Sequence, residues 1–261
     1  MRVRRVGVLA GGAVGMMRSA PHPVLCLPFA GAGASFFRLW RRLDVPGVAV
    51  EPLQLPGREE RLAEAPCTDV GTAVAGLLPA ALEATHRRPV ALFGHSLGAV
   101  LAYELARALV DRCPDRVAHL FVSGSPAPWD GRTERATGCP DEEFVARVER
   151  FAGYRHPALG IPELRELLLP ALRADVQMHE HYVPSAAGPL PVPITCMRAR
   201  GDHLVSAAQA GRWREATSAR FDAVEVDGGH MYLADDPGLV LGVIARTLGH
   251  DPVEAADALA R

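Results

Sequence analysis

Apolar residues follow two patterns that alternate along the chain. Short continuous apolar runs predict buried strands, and segments with apolar residues every three or four positions predict amphipathic helices. This alternation favours an α/β fold with a mostly parallel central sheet flanked by helices. The apolar runs predict six strands, at residues 23–27, 48–54, 90–93, 118–123, 191–198 and 221–226.

The alternation stops between about residues 126 and 190. Short helical patterns at 141–151, 162–169 and 171–181 follow one another there, joined by segments rich in glycine and proline. A helical insertion of this size between sheet strands is typical of a lid over an active site. Ordinary packing on the core explains the same pattern. The two interpretations are compatible, since a lid packs over the pocket that it closes. The apolar residues predicted to face inward are Phe144, Val145, Val148, Leu167, Leu168 and Leu172.

The third apolar run leads directly into Gly94-His95-Ser96-Leu97-Gly98, and a helical pattern follows. A G-x-S-x-G sequence between a buried strand and a helix is the pattern of a nucleophile elbow, which presents a serine hydroxyl above the sheet. The two glycines allow strand and helix to pack closely around the turn. The N–H of Leu97, at the start of the helix, is the first predicted oxyanion donor. A glycine-rich turn with a capping serine remains the alternative.

Two further polar residues follow later strands. Asp202 lies in the loop after the strand at 191–198, and His230 follows two glycines after the strand at 221–226. The order Ser96, Asp202, His230 is that of the α/β-hydrolase arrangement, unlike the orders in chymotrypsin and subtilisin. We therefore predict Ser96 as nucleophile, His230 as base and Asp202 as the acid that orients it. A helix cap or turn residue is the alternative role for Asp202.

The first predicted strand runs into a loop of small residues at 28–35 (the small-residue loop). An early loop of this kind supplies the other oxyanion donor in this fold, and we expect the backbone N–H of Phe29 or Ala30 to fill that role. Ser35 is predicted to cap a helix over residues 36–43. A dinucleotide-binding loop is disfavoured because the sequence lacks the third glycine and an acidic residue near the end of the next predicted strand.

Residues 55–61 (the Pro-Gly-Arg loop) combine a Pro-Gly turn with two arginines, Arg58 and Arg61, and two acidic residues. From the residues alone, a solvated loop held by salt bridges and a binding role are equally good interpretations.

Composition limits the remaining choices. A chain of 261 residues with 49% hydrophobic residues can bury one sizeable core, and we expect a single domain over residues 23–250 that is monomeric. The net charge of −2 favours neither a nucleic-acid nor a membrane partner. Five scattered cysteines without metal-ligand spacing predict reduced thiols, a cytoplasmic protein and no metal or other cofactor.

The ends of the sequence are expected to lie outside this domain. Arg2, Arg4 and Arg5 precede an apolar stretch, as in a signal peptide, but the stretch is short and has no well-placed cleavage site. We expect residues 1–22 to form a loosely ordered extension, with Met16 or Met17 as an alternative start. Residues 251–261 are expected to form a mobile tail.

Five motifs together resemble the type II thioesterases that accompany modular polyketide synthases and nonribosomal peptide synthetases. The Pro-Gly-Arg loop discriminates most, because lipases and general esterases of this fold do not usually carry it. The chain departs from the family at Phe29, where most members have histidine, and at Met231, where an aromatic residue is common. The motifs are Pro28-Phe29-Ala30-Gly31 with Ser35-Phe36-Phe37, Leu55-Pro56-Gly57-Arg58 with Arg61-Leu62, Gly94-His95-Ser96-Leu97-Gly98-Ala99, Gly201-Asp202-His203-Leu204-Val205 and Gly228-Gly229-His230-Met231-Tyr232-Leu233.

The resemblance implies an α/β-hydrolase fold and a defined activity. That activity is hydrolysis of aberrant or stalled acyl groups from the phosphopantetheine arm of carrier proteins, through an acyl-serine. Carrier proteins are usually acidic, so Arg58 and Arg61 are expected to dock the carrier or its phosphate. Two rival enzymes are a general carboxylesterase and a product-releasing thioesterase. A non-catalytic carrier-binding module is the rival from another class.

Overall fold

The computed structural model describes residues 20–131, 134–153 and 157–250. The predicted tail at 251–261 and nearly all of the predicted extension at 1–22 lie outside these residues. The first strand begins at His22, inside the range predicted for the extension. The described residues contain one sheet, the helices that flank it and a helical insertion.

Six parallel strands form the central sheet, in the order β2-β1-β3-β4-β5-β6. The two central strands, β3 and β4, are almost entirely buried because helices cover both faces, which explains their unbroken apolar sequences. The predicted strands are confirmed within a few residues. Their bounds are β1 His22–Leu27, β2 Val48–Pro52, β3 Val90–His95, β4 Val117–Ser123, β5 Ile194–Ala199 and β6 Phe221–Val226.

Helices divide the core into two layers. Helices α2 and α3 pack on one face of the sheet, and α1 and α8 pack on the other. Asp69 caps α2 by accepting a hydrogen bond from the N–H of Thr72. The bounds are α1 Arg38–Arg42, α2 Val70–Arg87, α3 Leu97–Val110, α4 Asp141–Ala152, α5 Pro162–Glu180, α6 Ala207–Gly211, α7 Tyr232–Asp235 and α8 Pro237–Thr247.

Helices α4 and α5 lie between β4 and β5 and form the helical insertion. The prediction of two helices at 162–169 and 171–181 is wrong, because α5 continues through Pro170. Proline costs one backbone hydrogen bond, and burial of Leu169 and Leu172 on either side offsets that loss. Leu167 was also predicted to face inward, but it is largely exposed, and the neighbouring Leu168 lines a cavity instead.

The predicted cap at Ser35 is wrong as well. A short 3-10 helix, Ala34–Phe37, precedes α1, and Gly33 occupies its N-cap position. The Ser35 hydroxyl and backbone N–H both bond to the carboxylate of Glu59 in the Pro-Gly-Arg loop. A competing tertiary partner therefore displaced the local capping interaction.

The parallel arrangement brings four loops to one edge of the sheet. The small-residue loop follows β1, Ser96 follows β3, Asp202 follows β5 and His230 follows β6. Because the carboxyl ends of parallel strands share an edge, this is the side on which open α/β sheets form their sites. Among the helices of the described ranges, none combines the length and hydropathy that a bilayer crossing requires.

Candidate active site

Ser96 occupies a strained backbone position between β3 and α3. Its φ of 53° and ψ of −117° place a non-glycine residue at positive φ, a conformation that must be stabilised by the surrounding structure. A side chain at Gly94 would overlap the carbonyl of Gly98, and one at Gly98 would overlap the carbonyl of Leu27. Both glycines are thus required by close backbone packing, as expected for a nucleophile elbow.

Asp202 and His230 are joined by a direct hydrogen bond. His230 Nδ1 lies 2.9 Å from Asp202 Oδ2, and both side chains are buried. The other carboxylate oxygen of Asp202 accepts the backbone N–H groups of Leu204 at 2.8 Å and Val205 at 3.3 Å. Burial would raise the pKa of Asp202, but the His230 ring and these two N–H groups outweigh it and hold the pKa below its usual value. Asp202 is therefore a fixed, ionised partner for the imidazole.

Ser96 and His230 line the same small cavity, of about 30 Å³. Within the described ranges, no hydrogen bond joins the Ser96 hydroxyl to the His230 ring. Catalytic hydrogen bonds are often long in unliganded enzymes and tighten when substrate binds. The three predicted residues are thus brought to one place, with the acid–base contact formed and the base–nucleophile contact open.

Sequence reasoning missed a buried polar chain beneath His230. The His95 ring lies 4.7 Å from the His230 ring, and its Nδ1 lies 2.8 Å from the hydroxyl of Ser123, which in turn contacts the Tyr232 hydroxyl at 2.5 Å. Burial and the neighbouring His230 lower the pKa of His95 well below its usual value. His95 is thus a neutral ring that packs against the His230 ring. The polar residues at the end of β4 and after His230 were the available signal.

The predicted oxyanion donors lie beside the elbow. The N–H of Leu97 is in the first turn of α3, where it has no partner within the helix. In the described part of the chain, the N–H groups of Phe29 and Ala30 also make no hydrogen bond. Gly98 packs on the Pro28 carbonyl, so the small-residue loop abuts the elbow directly.

Arg58 is buried, with 5% of its surface exposed. Its guanidinium makes a bidentate ion pair with Asp175 of α5, at 2.5 and 2.7 Å. This burial contradicts the expectation that Arg58 docks a carrier protein. Arg61 is about one-third exposed and pairs with Glu64, so a docking role for Arg61 stays a prediction. The sequence contained one indication of this role for Asp175. It is an acidic residue three positions after Leu172, which places it on the inward face of α5.

A larger cavity, of about 390 Å³, separates the small-residue loop from the helical insertion. Apolar side chains dominate its walls, and they include both departures from the family pattern, Phe29 and Met231. The Phe29 ring packs edge-on against Phe36 and against His95. Other apolar wall residues are Val148, Ala152, Leu159, Leu168, Leu172 and Ala234.

The chemistry available at this site is that of a serine nucleophile with an imidazole base. Among the residues that the structure describes, no group of three or more histidine, cysteine, aspartate or glutamate side chains is arranged to hold a metal ion. A carbonyl carbon at Ser96 would have backbone donors on one side and an apolar cavity nearby for an attached chain.

Comparison with known proteins gives a consistent result. A family model described as thioesterase domain matches residues 22–248. The gramicidin S biosynthesis protein GrsT of Aneurinibacillus migulanus is 33% identical over 80% of this chain and 82% of its own length. Among solved structures, the type II thioesterase BorB from the borrelidin cluster is 35% identical, with a TM-score of 0.78 over 87% of this chain and 92% of that one.

A second solved structure, the RedJ thioesterase of the prodiginine pathway in Streptomyces coelicolor, is 34% identical. It aligns with a TM-score of 0.77 over 88% of this chain and 95% of its own. These structures confirm the predicted α/β-hydrolase fold, and the family match covers the elbow, Asp202 and His230. The chain belongs to the thioesterase domain family.

Proposed function

We propose that this protein is an editing thioesterase, which hydrolyses aberrant or stalled acyl groups from the phosphopantetheine thiol of carrier proteins in polyketide or nonribosomal peptide biosynthesis. The observation that carries the proposal is the hydrogen-bonded Asp202–His230 pair facing the same cavity as Ser96 at the strained elbow. The relatives belong to gramicidin S, borrelidin and prodiginine biosynthesis, which supports this biosynthetic setting.

The mechanism follows from these positions. His230 accepts the proton of Ser96 as the hydroxyl oxygen attacks the thioester carbonyl, and Asp202 holds the imidazole tautomer and stabilises the imidazolium. The N–H groups of Leu97 and of Phe29 or Ala30 donate to the oxyanion. Each such donor contributes about 2.7–4 kcal/mol to transition-state stability in comparable enzymes.

The second half of the reaction releases the acyl group. As the tetrahedral intermediate collapses, its carbon–sulfur bond breaks and the pantetheine sulfur takes the proton from the His230 imidazolium. The carrier keeps a free thiol, and His230 is again able to act as a base. Water, deprotonated by His230, then attacks the acyl-serine and regenerates Ser96. A thiolate is a good leaving group, so the site needs less proton donation to the leaving atom than an amidase requires.

Substrate binding follows the same geometry. The apolar cavity beside Phe29 and Met231 receives the acyl chain, and the helical insertion covers that chain as a lid. Arg61 remains the predicted contact for an acidic carrier, with its guanidinium at the surface of the Pro-Gly-Arg loop. We also infer that the protein acts as a monomer and that it works in the cytoplasm. Its five free cysteines support the second of these inferences, because disulfides are rare in that compartment.

The test compares acyl-carrier proteins with oxoesters of the same acyl groups. We expect higher kcat/KM for acetyl- and propionyl-carrier proteins than for the matching p-nitrophenyl esters. Rapid oxoester cleavage without thioester turnover would identify a general carboxylesterase. Macrocycle formation or release only of full-length chains would identify a product-releasing thioesterase, and carrier binding without turnover would identify a binding module.

A further inference from the structure

The carboxylate of Asp175 connects three separate segments of the chain. It belongs to α5 of the insertion, it accepts the backbone N–H of Gly31 at 2.8 Å, and it pairs with both terminal nitrogens of Arg58. Asp175 is fully buried, so these contacts satisfy a charge that water does not reach. Gly31 directly follows the predicted oxyanion donors Phe29 and Ala30.

Arg58 holds the same loop at a second point. Its Nη1 donates to the carbonyl of Ala32 at 3.0 Å, so both the N–H of Gly31 and the carbonyl of the next residue are fixed. One helical turn before Asp175, Leu172 packs on the same loop, and a Cβ on Gly31 would lie 2.8 Å from Leu172 Cδ1. The Arg58–Asp175 pair (the clamp) and Leu172 thus hold the small-residue loop directly after Phe29 and Ala30.

Stability alone is a poor explanation for this pair. Replacing a buried ion pair with apolar residues of similar volume is often neutral or stabilising, because the desolvation cost is large. A bidentate guanidinium–carboxylate pair does supply a fixed geometry, and oxyanion donors depend on geometry.

We propose that Arg58 and Asp175 are positioning residues for the reaction, which hold the N–H groups of Phe29 and Ala30 in place and tie them to helix α5. The inference rests on the proposed function, because it takes these groups as the oxyanion donors. Movement of the insertion and formation of the oxyanion site are then coupled, since Asp175 belongs to the insertion and holds Gly31, the residue after the donors.

Four variants test this role. Asp175→Asn removes the charge at nearly constant shape, and Arg58→Lys keeps the charge but loses the bidentate contact. The double variant Arg58→Met/Asp175→Leu removes both buried charges and leaves neither one unpaired. It should therefore fold even if a single substitution prevents folding. Arg173→Met is the matched control, because Arg173 lies on the same helix but pairs with Asp141 in the insertion.

The measurements are kcat and KM for acetyl-N-acetylcysteamine and for acetyl-carrier protein, with the folded fraction checked by circular dichroism. We expect kcat to fall about 10- to 100-fold on both substrates in the three clamp variants, with little change in KM. Affinity for an alkyl boronic acid, whose tetrahedral serine adduct uses the same donors, should fall by a similar factor. Arg173→Met should match the wild type.

Two outcomes would overturn the proposal. One is a rise in KM for the carrier-bound substrate alone, which would restore a docking role for Arg58. The other is a lower melting temperature with unchanged kcat per folded molecule and unchanged boronic acid affinity, which would make the pair purely structural. If the wild type cleaves oxoesters but no thioester, the proposed function fails, and the boronic acid comparison still decides the role of the clamp.

Discussion

Asp202 Oδ2 accepts a hydrogen bond from His230 Nδ1 at 2.9 Å, inside a site where both side chains are buried. This bond selects the tautomer in which Nε2 of His230 is free to accept the proton of Ser96. The other oxygen of Asp202 is held by backbone N–H groups, so the carboxylate cannot turn away from the ring.

Asp202→Asn should therefore lower kcat by about 10³- to 10⁴-fold while leaving the fold intact. The amide of asparagine can present its NH₂ group to Nδ1, which favours the wrong tautomer. The measurement is kcat on acetyl-carrier protein, with the melting temperature as the control for folding. An effect below about tenfold would remove Asp202 from the mechanism.

Gly98→Ala tests the packing of the elbow. A Cβ at this position would overlap the carbonyls of Leu27, the last residue of β1, and Pro28, the first residue of the small-residue loop. We expect a loss of about 1–3 kcal/mol in the free energy of unfolding, measured in urea, and a lower kcat because the donors of Phe29 and Ala30 are displaced.

Gly76→Ala is the matched control for that substitution. Gly76 lies within α2, is exposed and has open space at the Cβ position. Alanine is a better helix former there, so the same change should raise the free energy of unfolding by about 0.5–1 kcal/mol and leave kcat unchanged. Equal destabilisation by the two changes would contradict the packing argument.

Ala152→Phe tests the acyl-chain cavity. Ala152 lines the cavity from α4, and a phenyl ring there would occupy space for several methylene groups. Since each buried methylene contributes about 0.8 kcal/mol, kcat/KM for octanoyl-carrier protein should fall about tenfold or more relative to acetyl-carrier protein. Ala146→Phe, on the exposed side of the same helix, should leave this ratio unchanged. A ratio that is the same in both variants would place the acyl chain elsewhere.

His119 gives the stability of the protein a defined pH dependence. Burial lowers the pKa of His119 to about 4, and its Nε2 lies 2.8 Å from the hydroxyl of Thr195. Between about pH 6.5 and 4 the unfolded chain binds a proton that the folded chain does not, so the free energy of unfolding falls as the pH falls through that window.

His119→Gln should weaken this dependence by up to about 3 kcal/mol, because glutamine does not titrate and can still contact Thr195. The measurement is the urea-derived free energy of unfolding of both proteins at pH 7 and pH 4.5. An equal fall in the free energy of unfolding of the two proteins between pH 7 and pH 4.5 would show that His119 does not stay neutral in the folded state.

Much of the site was predictable because its signals are local. The G-x-S-x-G elbow needs a glycine two residues on each side of Ser96 for steric reasons, and loops after parallel strands converge at one sheet edge. The positions of Asp202 and His230 after β5 and β6 follow from the same rule.

The Arg58–Asp175 pair was not predictable from the sequence because its partners are 117 positions apart. Arg58 lies among other charged residues, so its loop has the composition of a solvated surface. The continuous α5 was missed for a related reason, since burial of residues around Pro170 outweighs the local cost of proline. In each case a tertiary contact overrides the local pattern.

The most direct test of the central claim is the intact mass of acetyl-carrier protein after incubation with the enzyme. With the wild type, we expect loss of the acetyl group and recovery of the free phosphopantetheine thiol. Ser96→Ala should leave the acetyl-carrier protein unchanged at the same enzyme concentration. An acetyl group that persists with the wild type, or that is lost equally fast with Ser96→Ala, would contradict a serine thioesterase acting on carrier proteins.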